Sequence, residues 1–249
     1  MARSFYLILG VVAYGIFFAT FLYLIAFVGN LPGVPRTIDW APTSSPGSAF
    51  LVDLGLIALF GLQHSLMARQ GFKKKWTKIV PEPVERSVYV LAASLVLIVL
   101  FLMWRPIPQA IWDVDNIVGG AVLWALFALG WLLVLLSTFL LGHFELFGLK
   151  QVYLNLTGKS GQAPRFRQPL FYKLVRHPLY SGFILAFWAT PTMTLGHLVF
   201  ALGMSAYMLI AIQYEERDLV GLFGADYESY RRDVGMLTPR LRRRVPRGS

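Results

Sequence analysis

The chain has 249 residues, of which 56% are hydrophobic, 15% aromatic and only 14% charged, with a mean hydropathy of +0.58. That composition excludes an ordinary soluble domain and points to a polytopic membrane protein. With no cysteine there is no disulfide framework, no thiolate nucleophile and no Cys-ligated metal site, and the formal charge of +10 has to be judged by where the charges fall.

Five or six apolar segments run in order, at residues 5–28, 50–67, 88–104, 117–141, 180–191 and 198–214. Most approach the ~20 residues needed to span a bilayer, whereas the fifth is too short to span comfortably. Counted by alternate loops, 21 of the 23 Lys and Arg fall on one side, and only Arg36 and Arg105 on the other. This follows the positive-inside rule, with both termini cytoplasmic in a multi-pass membrane protein. The basic charge therefore reflects topology and attraction to the lipid bilayer, not nucleic acid. The first segment is too long for a signal-peptide core and no small-residue cleavage site follows it, so it reads as a spanning helix. Residues 245–249 resemble the remains of a cleavable purification tag and are set aside, which leaves residues 1–244 as one membrane domain.

The loop at residues 29–48 carries Pro32, Pro35, Pro42 and Pro46, which forbid a continuous helix, and reads as a connector or a lid. In the second segment Asp53 and His64 share one helical stripe about 16 Å apart. His64 is expected at a helix contact or in a pocket, and Asp53 in the outer headgroup region. The basic turn from Arg69 to Arg86 reads as solvated. Trp104 and Trp112 flank the second outer loop as an interfacial belt, and Gly119, Gly120 and Gly130 allow close helix packing. At the end of the fourth segment polarity changes abruptly in Gly142-His143-Phe144-Glu145-Leu146-Phe147-Gly148-Leu149-Lys150-Gln151. His143 and Glu145 are placed at the inner membrane boundary, and residues 153–172 read as a long loop.

The most informative stretch is Val175-Arg176-His177-Pro178-Leu179-Tyr180-Ser181-Gly182, taken with Gln213-Tyr214-Glu215-Glu216-Arg217-Asp218-Leu219. Between them the apolar chain is broken at Pro191 and Gly196, which makes a helical hairpin with both polar clusters at its open end. Pro178 suits a first helical position, and the free N–H groups of that turn, beside Arg176 and His177, form an anion site. Glu215 and Glu216 project about 100° apart on a helix, so at least one faces protein. The amphipathic element at residues 222–232 can close over this mouth.

Arg-His-Pro-x-Tyr-x-Gly, followed by Glu-Glu-x-x-Leu-x-x-x-Phe-Gly-x-x-Tyr-x-x-Tyr and Pro239, resembles the isoprenylcysteine carboxyl methyltransferase superfamily of integral-membrane enzymes. The resemblance implies an all-α membrane fold of five to six transmembrane helices, with a C-terminal hairpin and a cytoplasmic amphipathic element. It implies S-adenosylmethionine as donor, S-adenosylhomocysteine as product, and a cofactor region at about 142–239. Carried over residue by residue, Arg176, His177, Tyr180, Tyr214, Glu215, Glu216 and Gln151 become donor contacts. The segments 142–151, 189–194 and 63–65 are similar to bacterial members that methylate methanethiol to dimethyl sulfide, which implies a small thiol substrate. For that acceptor His143, or failing it His64, is the candidate base, and Phe144, Glu145 and Trp188 are candidate substrate contacts. Where the prenylcysteine enzymes place an Arg one turn before the paired Glu, this chain has Leu209-Ile210-Ala211-Ile212, and an apolar turn cannot anchor a carboxylate. Methylation of another small thiol or a lipid amine, a nicotinamide-dependent reductase, and a transporter or sensor are the competing readings. A Gly-rich dinucleotide loop, the mark of a soluble Rossmann methyltransferase, is not in the sequence.

Overall fold

A computed structural model describes residues 2–40, 44–161 and 165–240; the tag-like segment 245–249 lies outside them. The elements are α1 (Ala2–Val28), α2 (Pro46–Ala68), α3 (Gln70–Trp76), α4 (Glu82–Met103), β1 (Ala110–Asp113), α5 (Ile117–Leu141), α6 (His143–Leu146), α7 (Leu149–Thr157), a 3-10 turn (Leu170–Lys173), α8 (Pro178–Trp188), β2 (Thr192–Thr194), α9 (Leu195–Phe223) and α10 (Ala225–Asp233). Among the described residues α1, α2, α4, α5 and α9 are long and apolar enough to cross a membrane. The protein is an all-α integral membrane protein, as its composition requires.

Adjacent contacts run α1 to α4, α4 to α2, α2 to α9, α9 to α8 and α8 to α5. Phe21 of α1 meets the edge of Trp131 of α5 at 5.5 Å between ring centroids, which closes the helices into a ring around one aromatic core. The large apolar side chains on the outside, such as Phe5, Ile8, Val11, Leu129 and Leu132, face the lipid, where exposure of hydrocarbon carries no penalty. The α5–α8 contact is held by two glycines. A Cβ on Gly130 would lie 2.7 Å from the Ala186 nitrogen, and one on Gly182 would lie 2.7 Å from the Gly130 carbonyl oxygen.

Helix ends follow their local chemistry. Asn116 caps α5 by accepting from Gly119 N–H at 2.7 Å, and Thr194 caps α9 by accepting from His197 N–H at 3.1 Å. Gly142 and Gly148, with φ of +97° and +91°, turn the chain on either side of α6. The 29 residues of α9 make about 44 Å of helix, longer than the ~30 Å hydrocarbon layer, so its last turns leave the membrane with Glu215 and Glu216 at the exit. Helix α8 has 11 residues and rises only about 16 Å. Three non-helical residues, 189–191, add up to about 10 Å. A short helix and an extended tail together match its partner.

The second outer loop contains β1, which pairs antiparallel with β2, with Trp112 opposite Met193. Several expectations are corrected. Asp53 is fully buried and not solvated among headgroups, because its carboxylate accepts the Arg105 backbone N–H at 2.9 Å. The basic turn contains α3, and its Arg86 donates to the Leu146 carbonyl at 2.7 Å. Residues 149–157 are helical, so the long loop expected at 153–172 is shorter. In the first outer loop Ile38 is fully buried, and Trp104 donates its indole N–H to the Ile38 carbonyl at 3.1 Å.

Candidate active site

Pro178 occupies the first position of α8, and His177 before it, at φ −126° and ψ 62°, sends its ring back toward α9. A strap formed by residues 234–237 lies alongside. Arg176 N–H donates to the Gly235 carbonyl at 2.8 Å, His177 N–H to the Met236 carbonyl at 3.1 Å, and the Ser181 hydroxyl to the Leu237 carbonyl at 2.8 Å. A Cβ on Gly235 would stand 1.9 Å from the Thr238 carbonyl oxygen, so only glycine fits. The strap fixes both residues before α8 by their backbones.

Their side chains converge on one carboxylate. Glu216 is 4% exposed; Arg176 Nε donates to its Oε1 at 2.7 Å, His177 Nε2 lies 3.1 Å from the same oxygen, and Arg231 Nε lies 3.1 Å from Oε2 as an ion pair. The Arg176 Nη1 also donates to the carbonyls of Arg231 and Val234. A buried carboxylate is tolerated only with such pairing. The Arg176 expected to face an anion is thus engaged inside the protein. Glu215, the neighbouring residue, has 45% of its side chain exposed; it accepts from the Tyr180 hydroxyl at 3.0 Å and lies 4.0 Å from His177 Nδ1. One acid anchors the fold and the other stays open.

Tyr89, Tyr172, Tyr180 and Tyr207 all lie within electrostatic reach of Glu215. The Tyr172 hydroxyl is buried with no partner among the described residues, while its carbonyl accepts from Tyr230. Burial pushes the Tyr172 phenol above its ordinary value and that of Tyr230 up to about 12, so both are protonated at neutral pH. His64 joins this group from α2: it stacks on Phe60 at 5.3 Å, meets Tyr207 edge-on at 6.3 Å, and its Nε2 is 2.8 Å from the Tyr89 oxygen. Its Nδ1 is buried and has no partner among the described residues. Tyr214, 45% exposed, lies under the guanidinium groups of Arg69 at 4.9 Å and Arg217 at 5.6 Å. Arg176, His177, Tyr180, Glu215 and Glu216 are therefore brought together as the sequence motif requires, with His64 and Tyr214 beside them. Tyr89, Tyr172 and Tyr207 were missed. For Tyr89 and Tyr207 the signal available was a phenol in an otherwise apolar span, which has to find a polar partner.

The remaining candidates sit elsewhere. His143 is buried between α1 and α5: its Nε2 is 2.9 Å from the Tyr14 hydroxyl, its Nδ1 is 2.9 Å from the Thr138 hydroxyl, and it stacks on Phe139 at 4.4 Å. Both ring nitrogens are occupied, and burial pushes the imidazole below its ordinary value. Phe144 is exposed beside it, Glu145 pairs with Lys150 at 2.6 Å, and Gln151 donates to the Glu145 carbonyl at 2.9 Å. Trp188 donates its indole N–H to Ser205 at 3.0 Å. The two groups of residues are linked through Arg86, which bonds Leu146 and lies 5.0 Å over the Tyr89 ring. Among the described residues no group of three or more His, Asp or Glu gathers to hold a metal.

The chain is 52% identical to the methanethiol S-methyltransferase of Mycobacterium tuberculosis over 239 residues, covering 96% of this chain and 98% of the relative. It is 50% identical to the protein of the same name from Crocosphaera subtropica over 96% of this chain and 93% of that one. It is 55% identical to that of Pseudomonas deceptionensis over 87% of this chain and 82% of that one. No solved structure matches the chain. The family model described as NnrU protein matches residues 53–239, which include both halves of the charged site. On that match and these identities, the chain belongs to the NnrU protein family of isoprenylcysteine carboxyl methyltransferase-like membrane methyltransferases.

Proposed function

We propose that this chain methylates methanethiol to dimethyl sulfide, with S-adenosylmethionine as the methyl donor, among the residues around Glu215 and His64 at the basic end of the helix ring. The observation that carries the reading is that a half-exposed carboxylate, Glu215, and an imidazole with one unpartnered nitrogen, His64, belong to the same group of tyrosines. The relatives named methanethiol S-methyltransferase supply the acceptor. A phosphate-rich nicotinamide cofactor fits poorly where the open polar group is a carboxylate.

The donor supplies a methyl group on a positively charged sulfur, carried with an ammonium, a carboxylate, a ribose diol and an adenine. Glu215, steadied by Tyr180, takes the ammonium or the diol by a charge-assisted hydrogen bond. The first turn of α8 meets the carboxylate, where the helix dipole favours an anion. Tyr172 offers a protonated hydroxyl to the donor. Arg176, His177 and Glu216 hold this wall rigid from behind.

An alkyl thiol is mostly protonated at neutral pH, and the thiolate is the nucleophile. His64 Nδ1 takes the proton as the thiol sulfur bonds to the methyl carbon, and the electron pair of the broken carbon–sulfur bond stays with the donor sulfur. His143, with both nitrogens occupied, serves instead to dock α1 on α5. Phe60 and Tyr207 keep water from His64, and dry surroundings favour a step in which opposite charges cancel. With 21 of 23 basic residues on one side, the mouth opens to the cytoplasm of a bacterial inner membrane.

Isothermal titration of the detergent-solubilised protein with S-adenosylhomocysteine, followed by headspace detection of dimethyl sulfide from methanethiol and S-adenosylmethionine, tests the reading. Binding with volatile product is expected. Binding without product overturns the thiol, and absence of binding overturns the donor.

A further inference from the structure

The Tyr89 oxygen stands 2.8 Å from His64 Nε2 and 3.4 Å from the His64 carbonyl oxygen. A phenol has one proton, so the two contacts restrict one another. If Tyr89 gives its proton to Nε2, the second proton position of the neutral ring is Nδ1, and a buried N–H is left with no acceptor among the described residues. If Tyr89 turns its proton to the carbonyl, its oxygen accepts from Nε2–H. Every proton then has an acceptor, and the only group left over is the Nδ1 lone pair. Orphaned buried N–H donors are rarer than under-used acceptors, so the second arrangement is favoured.

Resting on the proposed thiol methylation, we propose that Tyr89 is a positioning residue that locks His64 as the Nε2–H tautomer, so that Nδ1 presents a lone pair to the thiol. Tyr89 acts through His64 and touches neither substrate nor donor. Its own place is fixed on both sides: it is 5% exposed, it packs with Met67 and Val90, and the Arg86 guanidinium covers its ring at 5.0 Å. On proton transfer the thiol S–H bond breaks, Nδ1 gains the proton, and the resulting imidazolium keeps its Nε2–H bond to the Tyr89 oxygen. The ring does not rotate between the two states. The charged and titratable groups facing this pair are Arg86 and Glu85 on α4, Tyr180 on α8, and Tyr207 and Glu215 on α9.

Tyr89→Phe keeps the ring and removes only the oxygen. The expected result is a fall in kcat of about ten-fold, the ratio set by one hydrogen bond of ordinary strength, with KM for methanethiol and the affinity for S-adenosylhomocysteine changed less than about two-fold. A more acidic thiol, already ionised in solution, loses less. The direct readout is the nitrogen NMR spectrum of 15N-histidine-labelled protein, with the His64 signals identified by their disappearance in His64→Gln. Wild type shows Nδ1 bare and Nε2 protonated, and Tyr89→Phe shows a mixture. Nδ1 protonated in wild type, or a variant with unchanged tautomer and unchanged kcat, overturns the proposal. The spectrum requires no turnover, so failure of the thiol reading leaves it intact, whereas normal methylation with the wrong tautomer defeats this inference alone.

Discussion

Glu215 and Glu216 are adjacent in sequence and identical in chemistry, yet the structure gives them opposite tasks, and exchanging each for Gln separates the two. Glu216 is 4% exposed and meets Arg176, His177 and Arg231 within 3.1 Å. Removing its charge leaves the Arg176 guanidinium, 8% exposed, without a counter-charge, at a cost of about 3–5 kcal/mol. Glu215 has 45% of its side chain in solvent and only the Tyr180 hydroxyl and the edge of His177 as partners, so its loss changes stability by less than about 1 kcal/mol. Its charged hydrogen bond to the donor contributes about 1.5–3 kcal/mol, or roughly 10- to 100-fold in Kd. Thermal unfolding and S-adenosylhomocysteine titration, run on both detergent-solubilised variants, read the two quantities separately. Glu216→Gln lowers the unfolding midpoint by at least about 6 °C, and Glu215→Gln leaves the midpoint in place and weakens binding. The reverse pattern, a stable Glu216→Gln that fails to bind beside a Glu215→Gln that binds normally, refutes the assignment.

The other expectations follow from the same geometry. His64→Gln lowers turnover by about 10²-fold or more with dimethyl sulfide release as the assay, whereas His143→Ala retains most of it; the opposite order moves the base to His143. Gly235→Ala forces a Cβ to within 1.9 Å of the Thr238 carbonyl oxygen and displaces the strap that holds Arg176 and His177. It costs about 1–3 kcal/mol in a melt and weakens S-adenosylhomocysteine binding; an unaltered titration shows that the strap is dispensable. Burial holds the His143 imidazole below its ordinary 6.5, so its contribution to stability is complete above that pH and is lost as pH falls through the depressed value. The unfolding midpoint therefore drops on acidification below about pH 6.5, and drops less steeply in His143→Gln; equal slopes in the two proteins remove His143 as the source.

Hydropathy alone determines the membrane class and the spans, because a bilayer imposes its thickness on each segment independently. The Arg176–Tyr180 and Tyr214–Glu216 stretches were also legible as one site, since a hairpin whose two arms have similar rise returns its ends to one level. Tertiary contact alone decided which polar residue faces what. His64 and His143 look alike in sequence, each a histidine near the inner end of an apolar helix. One has a hydroxyl at each ring nitrogen, and the other has a single phenol at Nε2 and an Nδ1 with no partner among the described residues. Nothing local distinguishes Glu215 from Glu216 or predicts that Arg176 turns inward, because those outcomes depend on a strap some sixty residues away that presents carbonyl groups to the start of α8. Periodicity specifies which side of a helix a residue occupies; the partner that side meets is set by how the helices pack.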